Sequence, residues 1–223
     1  MTATSAYQTV NTPQIESIQE TLDCAVNELI ASLPDPERLS AEERRGIIAR
    51  YSSVLEGNFI YWMTATLLSV ESEEVREIIL ENLHEEVRDS HPHMLRKFEI
   101  AAHAVPTDVD AESVYSELTA VRLFLGRLLG VQNVVTMAFF EGWIQRFMAF
   151  LGKLAEMQGS TEMEYTDVHG VCDVTHTREL FRALEIEMAL RPPDPESDLY
   201  EGAHLLRTLI ERMLHPAEAA DIR

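Results

Sequence analysis

Cysteine is nearly absent: Cys24 and Cys172 are the two in 223 residues, and they show no C-x-x-C spacing. They read as reduced, mainly structural thiols. Clustered lysine and arginine are absent too. Lys and Arg number 18 against 38 Asp and Glu, a formal net charge of −20. A phosphate backbone needs a basic patch, so nucleic acid is excluded as a partner. No apolar run approaches the roughly 20 residues that span a bilayer, so no membrane is expected. The first residues carry no basic patch followed by an apolar core. They do not read as a signal peptide, and a cytoplasmic location is the expectation. Glycine and proline, nine each, are scarce enough for a helical protein. No stretch alternates as a strand should.

What is present is helical period almost throughout. The expected helices are Pro13 to Leu33, Ser40 to Val70, Ser72 to His103, Ala111 to Leu129, Val131 to Gln158, Glu162 to Leu190 and Ser197 to His215. Pro34-Asp35-Pro36 stops the first. Ser40 and Glu43 form a capping box for the second. Pro92 interrupts the third, and Pro106 to Asp110 reads as a loop. These seven helices make one all-α domain over residues 1–223.

The most informative stretch is His169-Gly-Val-Cys-Asp173-Val-Thr-His176, which spells H-x3-D-x2-H. On a helix those offsets bring two imidazoles and a carboxylate to one face. Imidazole and carboxylate without thiolate suit iron or manganese. Cys172 falls about 100° around the helix and is not taken as a ligand.

All eight histidines lie at or beyond His84, so the first 83 residues can offer only carboxylates. Glu56 sits in an apolar, aromatic helix, and Glu141 is the sole acid between Glu117 and Glu156. A charge in such a setting needs a partner, and a bound cation would serve. The bland readings are a Glu56 at the helix edge and a Glu141 paired with Arg122, Arg127 or Arg146. Gly57 and Gly142 follow the two acids and would let a neighbour approach closely. The third helix offers Glu81, His84, Glu85, Glu86, His91 and His93. Glu81, His84 and His91 share a face of an unbroken helix. Glu86 and His91 converge only through a bulge or break.

Taken together, these residues resemble the haem-oxygenase-like diiron oxidase and oxygenase family, distant relatives of thiaminase-II and pyrroloquinoline-quinone synthase. The match runs from Glu56 through Asn82-Leu-His-Glu-Glu86, His91-Pro92 and Glu141 to His169, Asp173 and His176. It covers about residues 45–185, the expected metal-binding core. The gap between Glu86 and His91 is shorter than the family's pattern, which leaves Glu81 and Glu85 as substitutes for Glu86. The resemblance implies a seven-helix haem-oxygenase-like bundle. It also implies two Fe2+ ions, held by Glu56, Glu86, His91, Glu141, His169, Asp173 and His176, with one of them labile.

The implied function is oxidation of a small amine or amino-acid-derived metabolite by O2, in specialised metabolism. The expected partner is that small molecule, with a homodimer left open. Phe139, Phe140, Trp143 and Tyr165 are candidates for an apolar pocket wall, and Arg146, Lys153 and Arg178 for a contact with substrate carboxylate. Two other readings stand beside it. One is a ferritin-like iron protein built on Glu81-x-x-His84 and Asp173-x-x-His176. The other is a metal-free helical module that binds a metabolite.

Overall fold

The computed structural model describes residues 12–216, and the side chains of all of these except 12, 13 and 171–173. Ten helices and no strand occur among the described residues. They are α1 (Thr12–Ala31), α2 (Ala41–Leu55), α3 (Asn58–Ser69), α4 (Glu73–Arg88), α5 (His91–Ala101), α6 (Asp108–Glu112), α7 (Tyr115–Leu125), α8 (Gly130–Met157), α9 (Glu164–Leu190) and α10 (Glu201–Leu214).

Three breaks turn the seven expected helices into ten. The first divides the stretch opened by Ser40, whose capping box with Glu43 forms as the sequence predicts. Gly57 takes φ 77°, a left-handed conformation that glycine adopts without a Cβ clash, and α3 starts afresh behind it. The second lies at Asp89-Ser90. Ser90 takes φ 60°, and α5 begins at His91 with Pro92 in its first turn. Proline there loses an N–H that has no helical partner anyway, so it starts a helix and does not merely interrupt one. The third separates α6 from α7. Thr107 and Asp110 form a capping box where a loop is expected, so α6 begins inside the predicted loop.

The centre of the bundle is α8. Trp62 of α3 meets Phe140 edge to face at 5.0 Å between ring centroids, and Trp143 stacks on Phe147 at 4.4 Å. By length and composition α8 could cross a membrane, which the sequence reading did not anticipate. However, 78% of its most apolar stretch is buried in the bundle. A helix that is apolar all round has the composition of a core element.

α9 packs antiparallel on α8, with Glu141 opposite His176 and Gly152 opposite Thr166. α4 and then α5 run antiparallel along α9. Their order shows in three side-chain contacts: Glu74 with Arg182, Glu85 with His176 and Glu164 with Lys97. At the far end of α9 the Glu187 carboxylate accepts the backbone N–H of Glu71 at 2.8 Å and of Ser72 at 3.1 Å. α10 closes on α7 and α8 through Gly202. A Cβ there would stand 2.0 Å from Thr136 Oγ1 and 2.4 Å from Phe124 Cε1.

Candidate metal centre

α4 buries Val75, Ile79, Asn82 and Glu86, a stripe at helical spacing. Glu86 therefore faces inward with the apolar residues above it. Because α4 stops at Arg88, the turn through Ser90 brings His91 back over the end of the stripe. Its Nδ1 lies 2.8 Å from Glu86 Oε1. Glu81 is exposed and faces Arg88 at 3.7 Å, and His84 is exposed as well. The helix is broken between Glu86 and His91, and Glu81 stands apart from the cluster. The ferritin-like pattern needs Glu81 and His84 turned inward, and they are not.

His169 and His176 are seven residues apart on α9 and both are buried. His169 Nδ1 lies 2.8 Å from the Tyr165 carbonyl oxygen. A carbonyl only accepts, so Nδ1 carries the proton and Nε2 is the nitrogen turned to Glu86 Oε1, 3.6 Å away. His176 is set in the same manner. Nε2 meets Glu85 Oε2 at 2.9 Å, and Nδ1 looks at Glu141 Oε2 at 3.7 Å. Asp173, between the two histidines, lies outside the described side chains.

Glu141 is only 1% exposed, and the amide of Asn82 donates to its Oε1 at 3.1 Å. The three arginines named as alternative partners for it are engaged elsewhere. Arg122 lies over the Tyr61 ring, Arg127 pairs with Glu201, and Arg146 reaches Asp23 and Asn27. Lys153 and Arg178 likewise meet Glu156 and Glu179.

Among the described residues, Glu86, His91 and His169 place donor atoms within 4.8 Å of one another. Burial pushes the Glu86 carboxyl up, but the imidazoles of His169 and His91 facing it outweigh this and bring the pKa down to about 2. The carboxylate is thus ionised where an unpaired one would not be. Glu141 joins these three in lining one pocket of about 40 Å3, walled by Leu55, Phe59, Leu95 and Ile144.

Glu56 also lines this pocket, but it is exposed and caps the end of α2; it does not sit mid-helix. Gly57 serves the turn and has no atom near its Cβ position, while Gly142 makes an ordinary contact with Thr177. Neither glycine gives the close approach that the sequence suggested. Of the aromatic candidates, Tyr165 lines the pocket; its hydroxyl bonds that of Tyr51 at 2.7 Å. Phe139, Phe140 and Trp143 are core residues.

Glu99 was missed from the sequence. It lies at offset eight from His91 on α5, faces the same pocket and is 2% exposed. Burial pushes its carboxyl up, against Ser52 and Arg96. The stripe of His91, Leu95 and Glu99 at four-residue steps was the available signal.

Nitrogen and oxygen donors around an ionised buried carboxylate fit iron, and they offer no thiolate that would favour zinc or copper. No curated protein and no solved structure matches the chain. The family of iron-containing redox enzymes, a haem-oxygenase-like group, matches residues 48–209, well over half of the sequence. That span contains every inward-facing acid and histidine described above, and the chain belongs to this family of iron-containing oxidoreductases.

Proposed function

We propose that the chain is a non-haem diiron oxygenase or oxidase that uses O2 to oxidise a small amine or amino-acid-derived metabolite. The observation that carries this reading is a pair of neighbouring donor sets. Glu86, His91 and His169 form one, and Glu141 and His176 begin the other. Asp173, four residues after His169, would complete the second set, with Glu56 at the pocket edge. Ferrous iron with open coordination positions, when bound, supplies the reactivity towards O2.

The remaining work belongs to this chain's own residues. The Tyr165 carbonyl fixes the tautomer of His169, Glu85 orients His176, and Asn82 holds one oxygen of Glu141. Leu55, Phe59 and Ile144 give the pocket apolar walls, and its volume suits a small reacting group. Glu56 adds negative charge at the pocket edge, which favours a cationic nitrogen in the substrate, whereas Glu99 is paired with Arg96.

Anaerobic apoprotein titrated with ferrous iron, and then given O2, tests the proposal. Two ions per chain and O2 uptake triggered by an amine substrate are expected. Iron mineral formed without substrate would favour the ferritin-like reading, and no iron binding the metal-free one. Asp173→Ala should retain the helical fold and lose turnover; full activity in that variant removes the second donor set.

A further inference from the structure

Arg50 of α2 is 7% exposed, yet its guanidinium makes a single hydrogen bond. Nε donates to the Met213 carbonyl at 2.7 Å, near the end of α10. Nη1 and Nη2 have no hydrogen-bond partner among the described residues. The acids nearby are engaged elsewhere. Asp110 takes both Nη groups of Arg45, at 3.0 and 3.1 Å, together with the backbone N–H and hydroxyl of Thr107. Glu43 is held by the backbone N–H of Ser40. Arginine has five donors, and a buried one is normally paired.

Arg50 lines a cavity of about 550 Å3, within the size range of small-molecule sites. This cavity shares no lining residue with the pocket at the metal centre. Gly46, one turn earlier on α2, makes room for the guanidinium: a Cβ there would stand 2.8 Å from Nη1. Burial pulls the Arg50 pKa down to about 10, which leaves the side chain charged at neutral pH.

We infer that this cavity binds a small organic monocarboxylate. The planar guanidinium fork matches a carboxylate, which can take Nη1 and Nη2 together. Leu39, Ile47 and Leu214 line the same cavity and offer apolar surface to the rest of the molecule. Glu42, Glu43 and Glu112 also line it, and their charges oppose a doubly charged anion more strongly than a singly charged one. A doubly charged phosphate is therefore the poorer ligand.

Sodium octanoate titrated calorimetrically into the full chain tests this. One octanoate per chain is expected, with binding at least tenfold weaker in Arg50→Met. Gly46→Ala should weaken it severalfold. That variant should fold, because the atom in its way is the tip of a flexible side chain, so it decides the matter if Arg50→Met does not fold. Inorganic phosphate should bind at least tenfold more weakly than octanoate. Absence of octanoate binding, undiminished affinity in either variant that folds, or phosphate binding as tight as octanoate would each overturn the assignment.

Discussion

The orientations of His169 and His176 in the metal centre are each set by the atom behind the ring. Tyr165 does this for His169 through a backbone carbonyl that no substitution removes. Glu85 does it for His176 with a side chain, which makes the role testable. Glu85→Ala should leave the fold intact and weaken ferrous binding about tenfold, the range seen when such outer partners are lost. Anaerobic iron titration would show this as a shifted midpoint at unchanged stoichiometry; loss of a whole equivalent would make Glu85 a donor itself. Glu141, His169 and His176 were legible as inward-facing groups, Glu141 because a lone acid stands out in apolar surroundings and the two histidines because their spacing puts them on one helix face. The choice between Glu81 and Glu86 was not legible while the face was judged from His91, across a break. Judged from Val75 and Ile79 on the same helix, the face includes Asn82 and Glu86 and leaves Glu81 outside. Glu99 escaped because it follows Arg96 and Lys97 and reads as one more solvated charge.

Helix type and extent followed from period, whereas the breaks depended on single residues. A serine at φ 60° carries strain that a Cβ-free residue lacks, and nothing in the letters around Ser90 announces it. A β-branched side chain tolerates that region worse. Ser90→Val should therefore destabilise the protein by about 1–2 kcal/mol. It should also weaken iron binding, because His91 would no longer be set against Glu86. Ser90→Gly should keep both properties, and chemical unfolding alongside iron titration would check the pair. Close contact between helices is equally hard to read from sequence. Gly202 looks like any helical glycine, yet it lets α10 rest against Thr136 and Phe124. Gly202→Ala should cost about 3 kcal/mol, at the upper end for overpacking, and thermal unfolding would register it.

The whole molecule carries a charge of −20, so its acids set the response to pH. Asp110, which ties α6 to α2 through Arg45, gives a clear case. Burial pushes its carboxyl up, but Arg45 and Thr107 outweigh this and hold it below its ordinary 3.8. A lowered pKa stabilises the folded state above the unfolded value, and the effect fades as pH falls through the folded one. Asp110→Asn should cost about 2 kcal/mol at neutral pH, as for hydrogen bonds to a charged group. Its gap from the wild type should close below pH 3.8, which urea unfolding of the iron-free protein at both ends would reveal. Glu187 acts over a longer range. It fastens α9 to the start of α4, while the donors of both helices sit further along, roughly 16 Å away for His176 at 1.5 Å per residue. In a library of variants selected for iron-dependent activity, position 187 should tolerate substitution as poorly as the iron-holding positions. A tally of intolerant sites would then place a residue that never touches metal among those that do.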